Sequence, residues 1–445
     1  MKKWILLLIL LLHFIAIPLA QSQIKLKKST KITDRGLYFE GKKDEKFHFG
    51  RRITPHGDCI DVVDGYIFVT WYRGGMDDMH VMLSRKKIGE DIWKTIEFPK
   101  THIGYRGNKK IGDSHNTIAI GISTVDNTIH LLYDMHAYSA RDFPEDYFNY
   151  RISKPNAAIV SDEEFTIDLF NPKRNYLKLG ENYERVTYPN FFRNDNGELF
   201  AVWRLGGSGN GNQSFALYSK NGWSKTTNFN NGFQGNEQET YSIYGSFKYL
   251  HGKIRTGFSV RFKDFPTNAY TNNSGLFYAY SDLPSGDGDW YNAQGELLNF
   301  PIESPKPLKL GEPTELGMGN KITSGPSWTV TESGAIHFIS VLNGKGVHYF
   351  KSASDKEFSH VIDTPIGDMY SFNQTVFLVG LENGYPIIQS TPEGTNDWKV
   401  IYHNKTGPKF RHGNTYFDNG KLFFYAMEES SGQAQPIHLL EYDIN

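Results

Sequence analysis

The residue types that could do chemistry in this 445-residue chain are histidine, tyrosine and arginine, placed beside short apolar segments. His115 precedes one such segment, His136 follows the next, Tyr188 begins a third and Arg204 directly follows an apolar run. An imidazole accepts a proton near neutral pH, and a phenol can donate one. A guanidinium binds a carboxylate through two parallel hydrogen bonds. Together these groups suit removal of a proton from the carbon next to a carboxylate.

On a uronic acid, this reaction is a β-elimination. A base takes the proton at C5, an acid protonates the oxygen that leaves from C4, and an unsaturated uronate remains. No metal or organic cofactor is expected, because arginine can stabilise the developing negative charge, while a structural calcium or zinc ion stays open. Asp58, two residues after His56, and Asp113, two residues before His115, are candidate orienting partners for the histidines.

Composition narrows the class of protein. Lys and Arg number 48 against 49 Asp and Glu, so no basic excess points to nucleic acid. The single cysteine, Cys59, excludes an intramolecular disulfide and argues against a cysteine-based zinc site. Aromatic residues make up 15% of the chain and there are 43 glycines, a mixture typical of short strands joined by tight turns.

The N-terminus has the pattern of a secretory signal peptide over residues 1–20. Lys2 and Lys3 precede an apolar run over residues 4–17, and Ala20 offers a small residue before Gln21. The alternative is a membrane anchor, because the run approaches spanning length. We expect a secreted or periplasmic protein, not a membrane protein, with residues 21–445 as one catalytic domain that functions as a monomer.

A pair of short apolar strands separated by a Gly or Asn turn recurs seven times, at 57–71, 114–133, 188–203, 244–258, 325–339, 372–388 and 412–425. Repeats about 60 residues apart predict an all-β, seven-bladed β-propeller of mostly four-stranded antiparallel blades. Six or eight blades and two packed β-sandwiches are the alternatives. The segment 23–47 contains a strand-like stretch, 36–39, that could close the ring with the C-terminal copy.

Several motifs resemble known families. The segment 391–398, TPEGTNDW, resembles the Asp-box turn of sialidase-type propellers. GDSHNT at 112–117, YDMH at 133–136, TYP at 187–189 and VWRLGGSG at 202–209 resemble the ulvan lyases built on seven-bladed BNR-type propellers, polysaccharide lyase families 24 and 25. The layout resembles that family over nearly the whole mature chain, whereas motif similarity is confined to about residues 112–265.

The resemblance implies β-elimination on ulvan, the sulfated rhamnose–uronate polymer of green algae, or on its oligosaccharides. The family's acid–base and carboxylate-neutralising roles fall on four residues: His115, His136, Tyr188 and Arg204. Supporting contacts to the acidic, sulfated substrate are expected from three more: Arg73, Tyr244 and Arg261.

One departure keeps alternatives open. Some members of the group hold a structural zinc with paired cysteines, which this chain lacks. A divergent member could use the same base and arginine to expel water from a uronate at a non-reducing end, as an oligosaccharide dehydratase. A sialidase-like glycosidase, with Arg73, Arg204 and Arg261 on a carboxylate and a tyrosine nucleophile, is a second class. A carbohydrate-binding propeller is a third, but the candidate residues are concentrated in four copies, which favours one asymmetric site.

Overall fold

The computed structural model describes residues 24–53, 58–232, 239–264, 273–311, 325–342 and 344–444. These residues form thirty β-strands and short 3-10 turns at Ile167–Leu169 and Lys306–Leu308. Within them, no helix has the length and apolar character needed to cross a membrane. The expected signal peptide and His56 lie outside the described residues.

Seven antiparallel sheets follow one another along the chain as the blades of a propeller, as predicted. Blade 1 consists of β3 (Ile60–Val63), β4 (Tyr66–Tyr72), β5 (His80–Lys87) and β6 (Lys94–Thr101). Blade 2 has three strands, β8 (Ile118–Ser123), β9 (Thr128–Tyr133) and β10 (Tyr150–Ile152). Blade 3 consists of β11 (Val186–Arg193), β12 (Leu199–Gly207), β13 (Asn210–Ser219), β14 (Gly222–Trp223) and β15 (Thr227–Asn228). Blade 4 consists of β16 (Glu239–Leu250), β17 (Lys253–Asp264), β18 (Ser274–Ser281) and β19 (Lys309–Gly311).

The remaining blades are four-stranded. Blade 5 consists of β20 (Ser327–Val330), β21 (Ile336–Leu342), β22 (Lys345–Lys351) and β23 (Ser359–Thr364). Blade 6 consists of β24 (Asp368–Phe372), β25 (Thr375–Glu382), β26 (Tyr385–Pro392) and β27 (Lys399–His403). Blade 7 combines β28 (Phe410–Asp418), β29 (Lys421–Glu428) and β30 (Ala434–Asp443) with the N-terminal β1 (Lys25–Leu37). A separate parallel pair joins β2 (Phe47–Phe49) to β7 (Gly112–Asp113).

Several hairpin turns within the blades have the geometry that their sequences predict; in blade 6 the turn is the one between the second and third strands, β25 and β26. In four of them a residue with positive φ precedes a glycine with positive φ, the pattern of a type I′ hairpin. These pairs are Asp64–Gly65, His251–Gly252, Asn383–Gly384 and Asn419–Gly420. The Asp-box-like segment is likewise a turn, between β26 and β27, where Trp398 Nε1 donates to Asn396 Oδ1 at 2.9 Å.

The core consists of seven apolar clusters, one between each pair of neighbouring blades. Trp203, fully buried, packs between blades 2 and 3, and Trp328 between blades 4 and 5. A blade is therefore covered on both faces, which is why β8 and β9 are buried along their whole lengths instead of alternating. Burial of this kind is the main favourable contribution to folding.

The central channel is lined by both apolar and charged side chains. Its inner strands line a cavity of about 580 Å³. Within it Arg193 donates to Asp61 at 2.6 Å and to the hydroxyl of Tyr416 at 3.1 Å, linking blades 3, 1 and 7. Asp58 also lines the cavity, and enclosure by protein raises the pKa of its carboxyl to about 6.

The ring closes where the two ends of the chain meet. β1 pairs antiparallel with β30, as expected of the N-terminal segment, but the strand begins at Lys25 and includes only the first two residues of the stretch 36–39. Blade 7 then packs on blade 1, and a buried ion pair between Lys86 and Glu441 crosses this interface. Two charges removed from water stabilise only as a pair.

We predict that Glu441→Gln lowers the free energy of unfolding by roughly 3–5 kcal/mol, because the ammonium of Lys86 is left buried without its counter-charge. Chemical denaturation measures the change. The double variant Lys86→Met/Glu441→Leu should restore most of the loss, since neither charge remains.

The matched control is Asp363→Asn, which breaks the exposed Lys345–Asp363 pair and should cost about 0–1 kcal/mol. An equal loss in Glu441→Gln and Asp363→Asn would show that the closure does not depend on the buried pair.

Candidate active site

The site is built around Asp113, a fully buried residue on the short strand β7. The carboxylate folds back on its own loop, where Oδ1 accepts a hydrogen bond from the backbone N–H of His115 at 3.0 Å. The side chain of Asn116 donates to the carbonyl of Gly104 at 3.1 Å and fixes the next residue of the loop. The loop ends at β8, so the inner strand of blade 2 sets where Asp113 and His115 lie.

Two imidazoles bind this one carboxylate. Nδ1 of His115 lies 2.8 Å from Asp113 Oδ1, and Nδ1 of His136 lies 2.6 Å from Oδ2. The rings stack with centroids 4.2 Å apart and planes 16° apart. Because an ionised carboxylate only accepts, we assign the proton of each neutral ring to Nδ1. Proton exchange with a ligand then has to use Nε2.

Burial and hydrogen bonding act in opposite directions on these groups. Burial disfavours the Asp113 carboxylate, but the hydrogen bonds from His115 and His136 outweigh it and hold the pKa of Asp113 well below its usual range. For His136, burial is the largest effect and lowers the pKa below its usual 6.5, although Asp113 opposes that shift. His136 is therefore neutral at neutral pH and has a lone pair at Nε2.

The same three side chains could in principle hold a metal ion, since one ligand atom of each lies within 4.8 Å of the others. Here, however, the carboxylate oxygens stand at hydrogen-bond distance from both Nδ1 atoms. The arrangement fits an orienting carboxylate shared by two rings.

Tyr188 reaches the site through a bulge in β11. The pairing of β11 with β12 shifts register between Thr187 and Asn190, and Tyr188 has a φ of 57°. A positive φ is costly for an aromatic residue, and bulges commonly redirect a side chain beside an active site. The Tyr188 ring lies 5.6 Å from the His115 ring. Burial raises the pKa of Tyr188, with Arg204 opposing the shift, so the phenol keeps its proton at neutral pH.

Arg204 on β12 is 3% exposed and lies against two tyrosine rings. Its guanidinium carbon stands 4.7 Å from the ring centre of Tyr188 and 5.5 Å from that of Tyr244. Nη1 donates to the hydroxyl of Tyr244 at 2.9 Å, whereas Nε has no hydrogen-bond partner among the described residues. A guanidinium fixed beside two imidazoles and a tyrosine suits the binding of a carboxylate.

A hydroxyl in the glycine-rich loop after β12 joins the supporting residues. Ser208 Oγ lies 2.7 Å from the Tyr244 hydroxyl and accepts from Arg261 Nη1 at 2.8 Å. Gly206 and Gly209 on either side have φ of 105° and 101°, which only glycine adopts easily. The loop therefore turns tightly and holds blades 3 and 4 together at the site.

The structure thus brings six of the seven sequence-predicted residues into one contact network: His115, His136, Tyr188, Arg204, Tyr244 and Arg261. The guanidinium of Arg73, by contrast, is held by Asp78 at 2.6 Å and also donates to Glu97. Its role as a substrate contact remains a prediction. Asp113 takes the orienting position expected of it, whereas Asp58 lines the channel.

Sequence reasoning did not find two residues of the site. Ser208 lies within the quoted motif at 202–209, but nothing in its spacing shows that it bridges Tyr244 and Arg261. Phe49, whose ring lies 4.8 Å from His115 and 5.3 Å from His136, comes from the segment between β1 and blade 1, outside the repeats. A repeat-based search has no signal for it.

We predict that Asp113→Asn lowers the pKa of His136 further, because the hydrogen bond and charge of Asp113 are what raise it against burial. Histidine-selective NMR titration measures the shift. His130, which is buried in blade 2 with a pKa of about 3, is an internal control that should stay unchanged. An unaltered His136 titration would contradict the shared-carboxylate geometry.

Comparison with known proteins identifies the family of this chain. A model of the BNR repeat-containing family matches residues 66–362. The short isoform of ulvan lyase from Alteromonas sp. (strain LOR) is 35% identical, over 95% of this chain and 91% of that protein. The long isoform from Glaciecola sp. (strain KUL10) is 36% identical over 96% of this chain, which spans 47% of that longer protein.

Solved structures give the same result. The crystal structure of polysaccharide lyase Uly1 superposes with a TM-score of 0.86 at 34% identity, over 95% of this chain and 100% of that one. A polysaccharide lyase family 25 ulvan lyase bound to -[GlcA(1-4)Rha3S]- has a TM-score of 0.63 at 12% identity, over 93% and 95% of the two chains. That second likeness shows a shared fold. With more than a third of its residues identical to ulvan lyases across nearly its whole length, this chain belongs to the ulvan lyase family.

Proposed function

We propose that the protein is a carbon–oxygen lyase that cleaves ulvan by β-elimination at its uronic acid residues. The observation that carries the proposal is the placement of Arg204 in one network with Tyr188 and two carboxylate-bound imidazoles. The names of its relatives support the same substrate.

Arg204 binds the uronate carboxylate. Loss of the C5 proton leaves negative charge on C5, and this charge is shared with the carboxylate. A fixed cation at the carboxylate therefore stabilises the transition state more than it stabilises the bound substrate. The guanidinium is held in place by Tyr188, Tyr244 and the loop around Ser208 before substrate arrives. No reorganisation is then needed during the reaction.

A neutral imidazole of the pair accepts the C5 proton at Nε2. The lowered pKa of His136 keeps that ring in the basic form, and Asp113 stabilises the imidazolium once the proton has arrived. Because the two rings are stacked 4.2 Å apart, a second positive charge on the other ring is disfavoured. The pair thus carries at most one proton beyond the two at Nδ1.

Tyr188 donates a proton to the leaving oxygen. Its raised pKa keeps the phenol protonated before the reaction. The C5–H bond breaks, a C4=C5 double bond forms, the C4–O bond breaks, and the phenol proton goes to the departing sugar oxygen. The imidazolium then returns a proton to the phenolate, either directly or through water, which restores the starting state.

We also propose that residues 1–20 direct export and that the mature chain acts outside the cytoplasm as a monomer. A polymeric substrate supports an extracytoplasmic location, and the N-terminal pattern supports cleavage after Ala20. The intact mass of the exported protein tests the cleavage, and light scattering tests the oligomeric state.

Mass spectrometry of ulvan digests, with ultraviolet absorbance of the conjugated double bond, is the experiment that tests the function. Shortened chains with an unsaturated uronate support the lyase. Loss of water from uronate-ended oligomers without cleavage indicates a dehydratase, and cleavage without absorbance indicates a hydrolase. The last two outcomes contradict the proposal.

We predict that His115→Ala and His136→Ala each lower kcat by at least about 100-fold, because each change breaks the pair that receives and returns the proton. Ultraviolet absorbance gives the rate. His251→Ala is a control on a histidine at a hairpin turn of blade 4 and should leave the rate unchanged. Substantial turnover in both site variants would remove the imidazoles from the mechanism.

We further predict that Arg204→Lys loses most activity although it keeps the charge, because an ammonium cannot form two parallel hydrogen bonds to a carboxylate. The loss should exceed about tenfold in kcat/KM. Arg151→Lys in blade 2 is the matched control, since Arg151 contacts the Tyr133 hydroxyl and a backbone carbonyl away from the imidazoles. Equal rates for Arg204→Lys and the wild type would refute the carboxylate-binding role.

A further inference from the structure

An aromatic wall stands beside the two imidazoles. It consists of Phe49, Tyr105 and His48. The Phe49 ring meets both catalytic rings edge-on, at interplanar angles of 87° and 78°. The centre of the Phe49 ring also lies 5.8 Å from that of Tyr105 and 4.5 Å from that of His48. The His48 ring stacks on the Tyr105 ring with centroids 4.0 Å apart. The wall lies next to the acid–base pair and extends from it toward solvent.

The backbone at Phe49 is fixed by hydrogen bonds, whereas its side chain is exposed. The backbone of β2 is bonded to the loop that carries Asp113, with Gly112 N–H donating to the Lys46 carbonyl at 2.8 Å and Ser114 N–H to the Phe49 carbonyl at 3.2 Å. Even so, Phe49 is 37% exposed. A phenylalanine fixed by backbone pairing and exposed beside an acid–base pair presents a flat apolar surface to whatever binds there.

The position of the wall indicates which part of the substrate it meets. Arg204 lies against Tyr188 and Tyr244, whereas Phe49 lies against the imidazoles. In a uronate the carboxylate is carried on C5 and the leaving oxygen on C4. With the carboxylate on Arg204 and an imidazole at C5, the bound uronate lies between Arg204 and the imidazoles, and Phe49 stands beside the imidazoles where a neighbouring sugar of the polysaccharide would meet it.

We propose that Phe49 and Tyr105 form a subsite that stacks against a sugar next to the bound uronate. This inference rests on the proposed function, in which that sugar is a rhamnose. A 6-deoxy sugar has a methyl group and ring C–H bonds that form an apolar face, which suits an aromatic surface. Exposed Arg106 lies 5.6 Å from the centre of the Tyr105 ring and adds a cation at the edge of the subsite, where a sulfate would be held.

The test compares Phe49→Tyr with Phe49→Leu in steady-state kinetics on ulvan. Leucine keeps apolar bulk against the imidazoles but has no flat face, whereas tyrosine keeps the ring. We expect Phe49→Leu to raise KM roughly tenfold with a smaller change in kcat, and Phe49→Tyr to stay within about threefold of the wild type. Tyr105→Leu should raise KM in the same direction.

Two controls separate binding from structure. Phe358→Leu changes a half-buried phenylalanine before the outer strand of blade 5 and should leave KM unchanged. The unfolding midpoints of all variants show whether the fold is kept. If Phe49→Leu does not fold, Phe49→Tyr tests the subsite instead. Phe49→Tyr should then be active with a KM near that of the wild type.

The outcomes distinguish this inference from the proposed function. Wild-type ulvan cleavage with unchanged KM in a folded Phe49→Leu overturns the subsite and leaves the lyase assignment standing. A fall in kcat with a shifted pH profile and an unchanged KM also overturns it, because Phe49 would then only position the imidazoles. A wild-type protein that does not act on ulvan overturns both.

Discussion

The candidate site depends on one buried carboxylate that two imidazoles share. Asp113 has no access to solvent, so its charge is tolerated because the two imidazoles and the backbone N–H of His115 donate to it. That requirement fixes the orientation of both rings and leaves Nε2 as the working atom of each. If either imidazole turned away, the carboxylate would lose one of these three hydrogen bonds in an environment that cannot replace it with water.

The propeller makes this arrangement possible by bringing distant segments to one end of the ring. Asp113 and His115 come from the segment that leads into blade 2, and His136 follows its second strand. Tyr188 and Arg204 come from blade 3, and Tyr244 and Arg261 from blade 4. Each blade is fixed by apolar contacts with its neighbours, so the relative positions of the polar groups are set by the packing behind them. An isolated bridge between His136 and Thr187 couples blades 2 and 3 directly at the site.

Sequence patterns predicted the blades because each X-Gly turn between apolar strands is a local signal. They predicted the acid–base residues for a related reason, since these flank the inner strands at regular places in the repeat. What they missed is non-local. Arg73 is held by Asp78 and Glu97, which both follow it within blade 1. Only the fold shows that these two carboxylates reach its guanidinium.

Three further details were beyond the sequence for the same reason. The bulge that turns Tyr188 inward depends on the register of β11 against β12. Blade 2 has three strands, because residues 153–185 include only isolated bridges and a short 3-10 turn on its outer side. Phe49 reaches the histidines only because β2 lies parallel to β7. All three are set by tertiary pairing, which no local window of residues contains.

The pairing of β1 with β30 also has a consequence for biosynthesis. In the propeller, β1 precedes the other strands along the chain and pairs with β30, which follows them, so during synthesis β1 waits for its partner with its edges unpaired, a state that invites aggregation. Its sequence is suited to that delay: Lys25, Lys27 and Lys31 stay exposed even in the finished ring, and like charges on separate nascent chains repel one another. The lysines of β1 therefore protect solubility at a stage when the strand does not yet contribute to stability.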